Sequence, residues 1–382
     1  MGETKSVCVI GGGPVGLHVA SQVQKQGFST IVLEEHAEIG RPVQCAGLVS
    51  KSGIDELGID LGTTVLNEVR GAKMFSPGGE QLVVERYKTV AYVIDRERFD
   101  KKLYRIALDE GVEVMKNAQA LSVRGERVFT KHEGRGEVLK AGIVVGADGA
   151  ASKARAAMGI NTTMSDFVHT FQARIQGSYD PEFVELHFGS FAPGFFGWVI
   201  PESSSVARVG VGAAGRNPKD SFEEFVVKYN FQGKRSDEQS ALIPIGKPLQ
   251  KVTRENMMLV GDAAFQTKAT SGGGIVMGMT AANACAEAIG EHYKKNSPLA
   301  SYGNKLGTIN RELEAHWKVR SFLNSLSKQE FDKLFVKLRK AGIEDFLNKE
   351  GDMDKPSKFM GKLAFHPKMW GLLPEVVGVL MR

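Results

Sequence analysis

The stretch from Ser6 to Gly27, SVCVIGGGPVGLHVASQVQKQG, constrains the fold more than any other. A short apolar run leads into three spaced glycines, and a helix-like pattern follows. A second apolar run, STIVLEEH, then ends in acid. This is a βαβ unit, and it implies a parallel, doubly wound sheet. Gly11 permits the tight turn, Gly13 lets a backbone approach a pyrophosphate, and Gly16 lets the helix pack on the strand. The helix N-terminus beginning at Pro14 offers unpaired N–H groups and partial positive charge to phosphates. Glu34 stands at the end of the second strand, where a ribose hydroxyl would be met.

Two later turns have the same strand-then-turn character. VVGADGAASKAR delivers Asp148 and Gly149 from a buried strand, and LVGDAAFQTKATSGGGI delivers Gly261 and Asp262. Between them, HTFQARIQG, FVELHFG, GFFGWVIP and VARVGVGA alternate in the manner of an antiparallel sheet. DRERFDKKLYRIALDEG reads as a helix with Asp95 as N-cap and Gly111 as C-cap. The expected architecture is α/β (α+β): a Rossmann-like nucleotide-binding domain with an inserted antiparallel β-sheet domain and a helical C-terminus. Residues 1–62, 90–158 and 251–300 form the discontinuous first domain, 63–89 and 159–250 the β-sheet domain, and 301–382 the helical region. A length of 382 residues suits two or three interleaved lobes.

The net charge of +5 is too mild to argue for nucleic acid, though it suits phosphorylated ligands or an anionic surface. Three cysteines suggest no disulfide framework, and the eight histidines show no metal spacing. No signal peptide or membrane-spanning run is visible, so a cytoplasmic protein touching membranes only at a surface is expected. The C-terminal stretch KFMGKLAFHPKMWGLLPEVVGVLMR mixes lysines with large apolar side chains and could provide that contact.

The order of GxGxxG with acid, then a DG turn, then a GD turn resembles the flavoprotein hydroxylase superfamily over residues 5–295. The resemblance implies FAD as cofactor, Asp262 as the contact to its ribityl chain, and Gly272, Gly273, Gly274 and Ile275 beside the flavin. It implies that Arg96 points at the FAD and that Asp148 and Gly149 lie near the cofactor; Arg41, following the ribose acid, is a candidate for the adenosine end. Within that superfamily, PGFFGWVIPESSSVARVGVG resembles the P-x-x-Y-x-W-x-F-P segment and Val-Gly pair of the geranylgeranyl reductases, which saturate isoprenoid double bonds. Pro193, Trp198, Pro201, Val209 and Gly210 match, while Phe196 replaces the tyrosine and Ile200 the phenylalanine. RPVQCAG resembles the same family's cysteine loop, and Ala269 stands where that family has proline.

Phe196 and Trp198 alternate on a strand and share a face; Phe195 and Val199 are expected on the other. With Pro201 they are candidates for the wall of an apolar substrate pocket. The resemblance makes Cys45 the candidate proton donor and a prenylated lipid the expected substrate. The electron donor stays open between a ferredoxin, reduced flavin and NAD(P)H. A flavin monooxygenase or halogenase, with its W-x-W-x-I-P segment, is the alternative enzyme. A non-catalytic flavin- or lipid-binding protein is the third reading.

Overall fold

The computed structural model describes residues 5–365 and 378–379. The stretch expected to meet a membrane therefore lies outside the described residues from 366 onward, apart from 378–379. No helix among the described residues is long and apolar enough to cross a membrane.

The opening segment folds as its pattern dictates. Strand Lys5–Ile10 leads into helix Pro14–Gln24 and returns as strand Thr30–Leu33. Five strands lie parallel in the order Met257–Leu259, Arg135–Gly146, Lys5–Ile10, Thr30–Leu33 and Glu113–Met115. The central ones are buried on both faces, as crossover helices require. Helix Ile275–Lys295 packs on this sheet beside the first helix, and its Gly278 leaves room for Val15 of that helix. A third helix, Arg96–Asp109, starts at Asp95, whose carboxylate accepts the Arg98 N–H at 3.0 Å. Gly111 follows its end with φ of +88°.

A seven-stranded sheet carries strands Arg235–Pro244, Phe167–Gln176, Val206–Ala213, Gly197–Pro201, Phe183–His187, Gly71–Phe75 and Gln81–Glu85, in that order. It is antiparallel except at one seam: Phe183–His187 runs parallel to Gly71–Phe75. The hairpin of residues 71–85 comes from far earlier in the chain, so no tight turn dictates its direction. Strand Val65–Val69 joins neither large sheet; it pairs with Ala91–Ile94, which in turn pairs with Leu48–Ser50. Helices from Ser301 to Phe365 complete the described chain. One of them, Lys328–Lys340, buries Phe331 and Phe335 against the 71–85 hairpin.

Candidate functional site

A cavity of 1480 Å3 runs between the two large sheets. That exceeds the roughly 300–1,000 Å3 of a typical small-molecule site. Its lining includes Gly11, Gly13, Pro14 and Glu34, then Arg41, Cys45 and Arg96, and also Asp148 and Gly149. Gly261, Asp262, Gly272, Gly273, Gly274 and Ile275 form part of the wall, and Phe196 and Trp198 belong to the seven-stranded sheet's side. Two expected residues stand apart. Gly16 packs beneath the turn, and Pro201 ends its strand with its carbonyl accepting from Asn67 Nδ2 at 2.9 Å.

The glycines of the first turn have separate physical reasons. Gly11 has φ of +107°, and a Cβ there would lie 2.4 Å from the Ala147 carbonyl oxygen. A Cβ at Gly16 would lie 2.0 Å from the Gly11 oxygen. A Cβ at Gly13 would meet no protein atom within 4 Å; it would project into open space. The backbone there is bare toward the cavity, at the N-terminus of an 11-residue helix. A second helix N-terminus, at Ile275, opens on the same cavity. Gly272, Gly273 and Gly274 leave room for protein neighbours as well: a Cβ on each would press on Ile243, Lys268 or Asp262 respectively.

Glu34 accepts from the Gly12 N–H at 2.7 Å, the His36 N–H at 2.9 Å and the His36 ring at 2.6 Å. A carboxylate has about four acceptor positions, so about one remains for a ribose hydroxyl. Asp148 caps the next short helix, accepting from Lys153 N at 2.7 Å and Ala154 N at 3.0 Å. Asp262 accepts from the Thr267 hydroxyl at 2.8 Å, and burial pushes its carboxyl above the usual carboxylate range. Arg41, largely exposed, pairs with Glu97 at 3.0 Å.

Arg96 is the cation at the centre. Burial works against its charge, but Asp100 at 3.0 Å and the Cys45 thiol hold its pKa above that of a free guanidinium. Cys45 is half-buried and lines the cavity, and it accepts the Gly47 N–H at 3.3 Å. Two helix N-termini, the cavity-lining carboxylates Glu34 and Asp262 and a bare glycine turn fit a dinucleotide cofactor. These same residues would hold FAD.

The apolar wall differs from expectation in one respect. Val199 faces the second core cluster with Phe222 and Phe225, as alternation requires. Phe195 does not follow it. The strand begins only at Gly197, and Gly194 with φ of +68° turns Phe195 back onto Phe196. The two rings stack with centroids 4.2 Å apart. Trp198 reaches across Gly210, where a Cβ would lie 2.4 Å from its ring.

Several cavity residues had no signal in the sequence. Lys268 forms a buried ion pair with Asp354 at 2.6 Å, and the Ser50 hydroxyl also bonds that carboxylate. His316 lines the cavity, with Thr270 Oγ1 2.6 Å from its Nδ1. Burial, and then Lys268, push its pKa down to about 3, so it is neutral. Val319, Leu323 and Met353 add further wall from the C-terminal helices. The pairing of Lys268 with a residue 86 positions on left no trace in the sequence.

Comparison with known proteins agrees with this geometry. Residues 4–315 match the FAD binding domain family. A digeranylgeranylglycerophospholipid reductase of Methanococcoides burtonii is 30% identical over 362 residues, covering 89% of this chain and 88% of that one. Its counterpart from Thermoplasma volcanium is 30% identical over 359 residues, covering 87% and 91%. The crystal structure of a geranylgeranyl bacteriochlorophyll reductase-like protein from Thermoplasma acidophilum superposes with a TM-score of 0.85, at 26% identity, over 98% of this chain and 99% of that one. The chain is a flavoprotein with FAD as its cofactor, and it belongs to the digeranylgeranylglycerophospholipid reductase family.

Proposed function

We propose that this protein saturates the isoprenoid C=C bonds of geranylgeranyl groups on archaeal-type membrane lipid precursors. The observation that carries the reading is one continuous cavity. It is lined both by the glycine turns of a dinucleotide cradle and by a wall of Phe195, Phe196, Trp198 and Ile200. A prenyl chain offers no polar handle, so its binding rests on apolar burial, about 0.8 kcal/mol per buried CH2. The aromatic wall supplies that burial and keeps water from the reacting carbons.

FAD, when bound and reduced, supplies the hydride equivalent that adds to one alkene carbon. The other carbon needs a proton. Cys45 Sγ–H is the donor in this reading, and the thiolate left behind regains its proton from solvent. Arg96, beside the thiol, steadies the negative charge in the interval. The glycine turns hold the cofactor against the wall, and the lipid enters from a membrane surface.

The test uses the FAD-loaded protein, reduced anaerobically with dithionite, and digeranylgeranylglycerophospholipid in detergent. Mass spectrometry should record two added hydrogens for each bond saturated. An unchanged lipid under reducing conditions, with oxygen-dependent hydroxylation or halogenation of a second substrate, would overturn the reading in favour of a monooxygenase.

A further inference from the structure

The loop that carries Cys45 is held from across the cavity, by the seven-stranded sheet. Val43, two residues before the cysteine, turns its carbonyl to the Gln239 carboxamide at 2.7 Å. Gln239 lies on strand Arg235–Pro244, opposite Gln172. Its orientation follows from its fixed neighbours. Arg208 Nη1, a pure donor, sits 3.0 Å from one amide atom, which must be the carbonyl oxygen. The other atom is then the NH2, which donates to the Val43 carbonyl and also lies 3.0 Å from the Gln172 carboxamide.

Arg208 is itself pinned, with Nε 3.2 Å from Glu202, a carboxylate that also takes Arg174 Nε at 2.8 Å. We infer that Gln239, oriented through Arg208 and Glu202, is the positioning residue for Cys45. It fixes the cysteine loop relative to the aromatic wall. The inference rests on the reading of Cys45 as proton donor only for its effect on turnover; the loop contact stands separately.

Cysteine alkylation reads the contact directly. Cys8 and Cys285 are fully buried and their thiols are pushed up, Cys8 to about 12, so iodoacetamide reports on Cys45 in the FAD-loaded protein. Gln239→Glu keeps the side-chain volume and the Arg208 bond but sets an acceptor against the Val43 carbonyl. Gln239→Met removes the Val43, Arg208 and Gln172 contacts together and keeps the volume. Losing one such bond corresponds to about a five-fold change in loop opening. Both variants should therefore alkylate Cys45 about five-fold faster than wild type.

Turnover separates positioning from general damage. Gln239→Glu should lower kcat in the wild-type background and cause no further loss once Cys45→Ser is present. Unchanged alkylation in both variants, or an equal loss of kcat in both backgrounds, would overturn the proposal. Wild-type turnover in Cys45→Ser alone would instead remove the cysteine from the reaction, and the alkylation rates would then decide the loop contact.

Discussion

The ion pair between Lys268 and Asp354 offers a sharp test of how the cavity is closed. It lies 2.6 Å apart with side chains only 5% and 3% exposed. Lys268 belongs to the turn before the triple glycine, and Asp354 to the segment whose Gly351, Asp352 and Met353 line the cavity. Removing one partner leaves the other charged and buried, at a cost of about 3–5 kcal/mol. Replacing both with apolar residues of similar size removes most of that penalty. At about 2.1 cal/mol/K per residue, the unfolding entropy of 382 residues is about 0.8 kcal/mol/K. Asp354→Leu and Lys268→Met should therefore each lower Tm by about 4–6 °C, and the double variant should recover most of the loss. Differential scanning calorimetry of the FAD-loaded protein measures all three. Single variants within about 1 °C of wild type, or a double variant that sums the two losses, would refute the pair as a buried bolt between these segments.

Three further outcomes follow from side-chain geometry. Gly13→Ala should fold with a normal Tm but bind FAD at least about ten-fold more weakly, because its Cβ meets only cavity space; Gly16→Ala should lower Tm itself, since its Cβ would strike the Gly11 oxygen at 2.0 Å. Flavin fluorescence titration and calorimetry separate the two. Gly210→Ala should push the Trp198 ring off its seat 2.4 Å away, costing about 1–3 kcal/mol of stability and weakening lipid binding, as measured by chemical denaturation and equilibrium titration. His316, held neutral with a folded pKa near 3 against 6.5 unfolded, makes the unfolded state bind the extra proton between those values. Stability should fall as pH drops through that window, by up to about 1.4 kcal/mol per pH unit, and His316→Phe should flatten the slope in pH-dependent melts.

The backbone turns that line the glycine-rich part of the cavity were legible in sequence because local geometry specifies them. Gly11 needs φ of +107° for a turn that no side chain tolerates, and Asp95 announces a helix start by the bond it makes three residues on. Such requirements act within a few residues, so they leave spaced, recognisable letters. The parallel seam between residues 71–75 and 183–187 leaves none, since pairing partners far apart in the chain are chosen by which faces need burial. Phe195 shows the limit within a single motif. Alternation assigned it to the face opposite Phe196, but that rule applies only once the strand has begun, and the turn at Gly194 delays it to Gly197.

The polar fastening of the cavity was illegible for the same reason. Asp354 and Lys268, or Gln239 and Val43, meet only after two separately specified parts have docked, and an isolated Asp or Gln in a polar stretch carries no periodic signal. Yet these contacts govern the relation between the two halves. The glycine turns specify where a dinucleotide lies on one sheet, and the aromatic strand specifies an apolar wall on the other. Neither element dictates its distance from the other half. That distance is set where side chains cross between them, as at the Cys45 loop resting on Gln239, while the Lys268–Asp354 pair fastens the triple-glycine turn to the C-terminal helices. In the proposed function, such crossings bring the cofactor cradle and the apolar wall into one chamber. Substitutions there should therefore impair turnover more than they impair the binding of FAD or lipid alone.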